Sequence, residues 1–437
     1  MTTSGVSLSR VWSGDRAHSR RRGLAAVIAV GLLASPANPA GADDNMSWVR
    51  FPSQRSDTIG PDGIDREFIK QWEASPPKGF PTLAKQNLAA MKAAIQQYEK
   101  IVSEGGFPVI PEQKLVLGAL SPAVSLLKQR LVLSGDLRDD SDLSQNFDYD
   151  LEKAVRRFQA SNGLSPTGVV DQRTIVALNV SAGTRLRQLR VNFQRLTELA
   201  RTVPKKYVVV NIPAAQIEAI DGDAVISRHA GVVGKIDRQT PILRSQIHEL
   251  NFNPVWHLPP TVITKDLVPK GAEMASKGQN VLAKYGIDAY DGTGRKIDSS
   301  KINWSSGAAR GYTFRQQPGP ENPLGFVKIN FHNSHSVYMH STPSETLFGR
   351  NFRAASSGCV RVGGIEKLAA WLMADQGWSI ERVMDMKKSG ERLDVKLKKP
   401  MPLYFVYVTA WATEDGVIQF RRDLYNKDMV GTVAGNY

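Results

Sequence analysis

YMHSTPSETLFGRNFRAASSGCVRV, residues 338–362, contains Cys359, the only cysteine of the 437-residue chain. A thiol attacks well only as thiolate, so a catalytic cysteine needs a nearby base or a positive local field. The bland alternative is a small buried apolar residue. The flanks favour chemistry. Ser356-Ser357-Gly358 is turn-forming sequence and sets the sulfur at a loop-to-strand junction. His340 follows the apolar alternation Val337-Tyr338-Met339 and is delivered to a strand end. Arg361 shares the sulfur's face if that stretch is extended, where a guanidinium lowers the thiol pKa or holds a substrate carboxylate. The N–H groups of Gly358 and Cys359 are candidate oxyanion donors, worth roughly 3 kcal/mol each in comparable sites.

The rest of the chain narrows the setting. Arg20-Arg21-Arg22, an apolar run from Gly23 to Ala34 and Ala40-Gly41-Ala42 read as a cleavable signal peptide, so an envelope or periplasmic location is expected. The run is too short to span a bilayer. Residues 1–42 hold five arginines and one aspartate, so the +14 net charge falls to +10 on their removal. A basic exported protein suits an anionic wall polymer. Nucleic acid is excluded by export and by the lack of zinc-ligand spacing or RNA-binding signatures. An unpaired thiol is a liability in an oxidising compartment, which again favours a chemical role. Of the other histidines, His229, His248 and His257 fall in early strands; His332 and His335 flank a hairpin turn and read as solvent or loop residues, with a backup base the minor alternative.

Pro81 to Val102 has helical spacing, and residues 43–80 read as a lead-in segment. Residues 115–182 read as three short helices opened by Ser121-Pro122, Tyr149 and Asp171, with Asp139–Asp142 a solvated acidic loop. AVRRFQASNGLSPTGVVDQRTIVALN resembles the three-helix peptidoglycan-binding domain, a resemblance carried by Ala154, Val155, Phe158, Gln159, Gly163, Leu164, Gly168, Asp171, Thr174 and Leu178. A linker helix follows over 183–204. From Tyr207 the period drops towards two and strands begin. The long irregular stretch 261–323 interrupts them as a capping insertion. Residues 391–398 and 403–410 read as a closing hairpin with Lys399-Pro400 as its turn.

YMHST…FGRNFRAASSGCVRV is similar to the signature of L,D-transpeptidases, the YkuD-type catalytic domain, and the chain resembles the large periplasmic subgroup of that family. NPVWHLPP (253–260) and RQQPGPENPLG (315–325) add to the match. The resemblance implies a multidomain fold: a mainly-β catalytic domain (a mixed β-sandwich with short helices), an α-helical N-terminal scaffold and a three-helix peptidoglycan-binding domain. The implied boundaries are signal peptide 1–42, scaffold 43–114, wall-binding module 115–182, linker helix 183–204, catalytic domain 205–390 and a C-terminal segment 391–437. Cys359 would be nucleophile and His340 general base, supported by Ser341, Gly358 and Arg361. Tyr338, Phe348, Arg350, Arg353 and Ser357 are the substrate-binding candidates. SSGC stands where many members carry SHGC, which removes a second active-site histidine. The implied reaction attacks the third residue of a tetrapeptide stem, releases D-alanine and forms a 3→3 cross-link. No metal or cofactor is implied; the partners are stem peptides and other wall-synthesis enzymes. The alternatives are another wall cysteine acyltransferase or L,D-carboxypeptidase, and a non-catalytic peptidoglycan-binding protein.

Overall fold

Capping chemistry sets the helices of the computed structural model, which describes residues 81–138, 142–304, 307–414 and 416–428. The expected leader, the 43–80 segment and residues 139–141 of the acidic loop lie outside the described residues. The first helix among the described residues, α1 (Asn87–Ser103), starts six residues later than its periodicity suggests. Asn87 Nδ2 donates to the Pro81 and Thr82 carbonyls, and Thr82 N–H donates to Glu218 Oε2 at 2.8 Å, so Pro81 and Thr82 are held against the sheet. Helices α2 (Pro122–Ser134), α3 (Tyr149–Ser161) and α4 (Gln172–Leu178) are capped by the side chains of Ser121, Asp148 and Asp171. Such caps are worth about 1 kcal/mol each. Gly135, at φ 79°, ends α2 in the left-handed conformation glycine favours. The apolar faces of the three helices share one core that includes Leu127, Leu131, Leu151, Phe158 and Leu178.

Helix α5 (Ala182–Ala200) packs its Leu186, Leu189 and Leu196 with α1 and the back of the sheet. Its polar residues are fixed too. Gln188 Nε2 donates to the Thr409 and Arg421 carbonyls, and Asn192 Nδ2 to Thr409 Oγ1 at 2.7 Å.

The strands are β1 (Lys206–Asn211), β2 (Gln216–Asp221), β3 (Ala224–Gly234), β4 (Leu243–Phe252), β5 (Trp256–His257), β6 (Ile287–Tyr290), β7 (Lys296–Ile297), β8 (Thr313–Gln316), β9 (Val327–Phe331), β10 (Met339–His340), β11 (Ala354–Ser356), β12 (Val360–Val362), β13 (Leu393–Val406), β14 (Ala410–Ala412) and β15 (Ile418–Phe420). The main sheet runs β11-β3-β12-β10-β9-β4-β13-β1-β2, and β2 also pairs with β3, so the sheet curls over and closes on itself. Closure removes most free edges. Helices α6 (Val268–Ser276) and α7 (Val281–Tyr285) precede β6, while α8 (Ile365–Leu372) and α9 (Ile380–Ser389) follow β12. The α8 and α9 faces meet the sheet through Leu368, Leu372, Val383 and Met386.

Two stretches differ from the sequence reading. The insertion is not irregular: β5-β8-β6-β7 form a second sheet that shares a core with α6 and α7 around Trp304, Phe314 and Leu282. Packing there is tight, since a Cβ on Gly271 would lie 2.3 Å from the Trp304 ring. Residues 393–406 are one strand with a register shift between Lys396 and Met401, so Lys399-Pro400 is not a hairpin turn. A proline without a ladder N–H is tolerated at such an irregularity. The closing hairpin is instead β14–β15.

Candidate active site

The pairing of β10 with β12 positions the site. They run parallel in the register Met339↔Val360 and His340↔Arg361. Alternation sends Met339 and Val360 into the core, both 0% exposed, and leaves Tyr338, His340, Cys359 and Arg361 on the opposite face. His340 and Arg361 are nevertheless buried, at 5% and 3% exposed. Tyr338 packs against the cap core and accepts a hydrogen bond from Trp256 Nε1 at 3.0 Å.

The turn before the cysteine is tightly held. Gly358 has φ +114°, backbone that a side chain would strain. Ser356 Oγ accepts the Gly358 N–H at 3.1 Å and donates to the Cys359 carbonyl at 2.5 Å. Thr240 Oγ1 donates to the Gly358 carbonyl at 2.8 Å and accepts from the Gly234 N–H at 2.9 Å. The Gly358 N–H is thus engaged by Ser356, which corrects its reading as an oxyanion donor. The N–H of Cys359 has no partner among the described residues.

His340 Nδ1 lies 2.6 Å from the Ser341 carbonyl. A carbonyl only accepts, so Nδ1 carries the proton and Nε2 presents a lone pair. Ser341 is itself fixed: its Oγ donates to the Leu324 carbonyl and accepts the Val327 N–H, each at 3.0 Å. Gly325 leaves room for it, since a Cβ there would lie 2.3 Å from Ser341 Oγ.

Burial pushes the His340 pKa down from 6.5 to about 3, and the Arg361 guanidinium adds to the fall. Burial raises the Cys359 thiol; the Tyr338 N–H and phenol, Lys328 and Arg361 pull it back in part. The resting pair is therefore neutral thiol and neutral imidazole, not thiolate and imidazolium. Arg361 is 3% exposed, and its Nε and Nη1 have no acceptor. Burial lowers its pKa to about 10, opposed by Cys359. An unpaired buried charge is costly, so this guanidinium is poised for an anion.

Three partners escaped the sequence reading. Lys328 on β9 stands opposite His340 and sits 4.7 Å from the Tyr338 ring centroid. In the alternation of β9 it reads as an ordinary solvent-facing lysine. The others are Arg238 and Asp266. Arg238 Nη1 donates to Asp266 Oδ2 at 2.9 Å and Nη2 to Oδ1 at 3.3 Å. Nη1 also donates to Ser357 Oγ at 2.8 Å. Asp266, 0% exposed, lies in the π-helical turn Ile263–Leu267 of the cap, so one guanidinium ties the cap to the cysteine turn. Ser357 is thus a member of this tie.

Phe348, Arg350 and Arg353 do not join the cysteine. Arg353 donates to the carbonyls of Gly231, Ala214 and Ala215, and Phe348 lies under Gly363. All three line a separate cleft shared with the helical module. As substrate-binding candidates they therefore stand in this cleft and not beside Cys359. His332 is also elsewhere: it stacks on His248 with ring centroids 4.1 Å apart.

Residues 205–389 match the family model described as the L,D-transpeptidase catalytic domain (YkuD), and residues 121–178 match one described as "putative peptidoglycan binding domain". Among curated proteins, the "Putative L,D-transpeptidase" of Haemophilus influenzae is 33% identical over 245 residues, 55% of this chain and 48% of that protein. The chain thus spans about half the length of that relative. Solved L,D-transpeptidases include one from Xylanimonas cellulosilytica, at 15% identity and TM-score 0.23, covering 68% of this chain and 100% of that one. Another, from Stackebrandtia nassauensis, is 12% identical with TM-score 0.25, covering 68% of this chain and 96% of that one. Likenesses this low say nothing about the site. Residues 205–389, which hold Cys359 and His340, are thus similar to the YkuD L,D-transpeptidase catalytic domain, and residues 121–178 ahead of them to a peptidoglycan-binding domain.

Proposed function

We propose that this chain is a cysteine-dependent peptidoglycan L,D-transpeptidase of the cell envelope. The observation that carries the proposal is the shared face of β10 and β12, with thiol, imidazole and an unpaired buried guanidinium together inside the YkuD domain. The donor is a tetrapeptide stem, bound with a carboxylate against Arg361. Sγ attacks the carbonyl of the third residue, meso-diaminopimelate, while His340 Nε2 takes the thiol proton as general base. The Cys359 N–H stabilises the oxyanion. His340 then returns the proton to the departing D-alanine amine, leaving a thioester on Sγ. A diaminopimelate amine of a second stem attacks the thioester and yields the 3→3 cross-link. The peptidoglycan-binding domain supports substrate presentation, and the residue 20–42 pattern supports export.

The substrate assists its own activation. A carboxylate at Arg361 neutralises the positive charge that is the second cause of the depressed His340 pKa. The base therefore strengthens when the donor is bound. The proposal is tested by product analysis. Purified protein with disaccharide-tetrapeptide should release D-alanine and give a dimer linked through two diaminopimelate residues. Release of D-alanine with monomeric tripeptide alone would mean water is the acceptor and the enzyme a carboxypeptidase.

The pH dependence follows from the same groups. His340 is depressed to about 3 in the folded protein, so it stays a competent neutral base well below its ordinary 6.5. The acylation rate should stay flat from about pH 8 down to about pH 5, without a limb near 6.5. Stability behaves differently. The unfolded chain binds the His340 proton more readily, so this contribution is lost as pH falls from 6.5 towards 3. Acylation rates and melting temperatures across that range check both statements; a rate limb at 6.5 would show that His340 titrates normally.

A further inference from the structure

Five arginines, Arg228, Arg350, Arg353, Arg421 and Arg422, line the cleft between the α3–α4 turn of the wall-binding module and the catalytic sheet. No lining side chain is acidic. The cleft encloses about 120 Å³, room for several ligand groups and not merely one water. Its two walls are tied together: the Ser165 N–H and Oγ both donate to Asn351 Oδ1 at 2.7 Å. Arg421 Nη1 crosses from the C-terminal segment to the Ser161 carbonyl at 2.8 Å.

Charge and shape together define a ligand. Arg228 is matched by Glu218, which is 1% exposed and sits behind the cleft wall. Arg350 is exposed, and its guanidinium makes no hydrogen bond or ion pair to any described residue. Phe352 beside it is 42% exposed, with the Arg422 guanidinium 5.5 Å from its ring centroid. An exposed aromatic ring next to guanidinium groups suits a sugar face followed by carboxylates. The geometry points to this cleft as a second binding site, which takes a carboxylate-bearing peptidoglycan strand between the wall-binding module and the catalytic domain. The ligand class rests on the proposed function; the anion preference rests on the cleft alone. The site lies apart from Cys359 and would hold polymer while a stem enters under the cap.

Cosedimentation with purified sacculi tests the inference, in the Cys359→Ala background so that no covalent adduct forms. Arg350→Glu with Phe352→Ala should weaken binding about tenfold, and Arg350→Lys should stay within about twofold of the parent, as expected for a partly exposed charge contact plus a stacking face. Sacculi whose free carboxylates have been amidated should bind the parent protein about tenfold more weakly, a comparison that needs no cleft variant. Equal binding of amidated and native sacculi, or of the charge-reversed and parent proteins, overturns the inference. A parallel incubation of wild-type protein with soluble disaccharide-tetrapeptide separates the two claims. Acylation with unchanged sacculus binding overturns the cleft alone; no acylation overturns the proposed function, whatever the sacculi do.

Discussion

His340→Ala is expected to slow acylation of Cys359 by about 10²–10⁴-fold, the usual contribution of a positioned general base. Three observations set that expectation. Nδ1 is fixed on the Ser341 carbonyl, which makes Nε2 the nitrogen with the lone pair. Burial keeps the imidazole neutral, so it can accept a proton at any working pH. Burial also holds the thiol protonated, so attack without a base would start from a poor nucleophile. The loss should fall on the rate of acylation and not on donor binding, because no donor contact is assigned to His340. The Ala variant should also tolerate acid better, since the buried group that must gain a proton on unfolding is gone. Intact-protein mass spectrometry at timed intervals gives the rate, and melting curves at two pH values give the stability. A rate within threefold of wild type would remove His340 from the mechanism.

Asp266→Ala should cost about 3–5 kcal/mol, the penalty for stranding one partner of a buried ion pair. The side chains of Asp266 and Arg238 are 1% and 16% exposed, so solvent cannot easily replace the lost partner. The damage should be local. Amide exchange should rise in the cap turn Ile263–Leu267 and in the 356–359 turn that Arg238 also holds. Acylation should fall as the cysteine turn loses its anchor. A double variant, Arg238→Met with Asp266→Leu, separates fold from function. Apolar replacement of a buried pair often restores stability. It cannot restore the donor to Ser357, so activity should stay low. Full activity in that variant would show that the tie serves stability only.

Much of this was legible in the sequence where local rules decide structure. Ser121 and Asp171 cap their helices and Tyr149 opens α3, as their sequence positions suggest, and turn residues beside Cys359 and His340 place both at element ends. The cap was legible as an insertion but not as a folded unit. Its four strands are two to four residues long, too short to show a period. Pro400 misled for the opposite reason: a proline that reads as a turn sits at a register shift within one strand. The Arg238–Asp266 tie spans 28 residues and has no local pattern at all. Arg350 and Arg353 lie close to Cys359 in sequence but face another cleft, which sequence proximity does not show.

The central claim is that Cys359 carries the acyl group. The direct measurement is the intact mass of wild-type protein and of Cys359→Ala after incubation with disaccharide-tetrapeptide. Wild type should gain the mass of the donor less D-alanine, in an adduct that hydroxylamine removes, and the Ala variant should gain nothing while keeping its melting temperature. An unmodified wild type that still releases D-alanine, or an equal adduct on the Ala variant, would contradict the account.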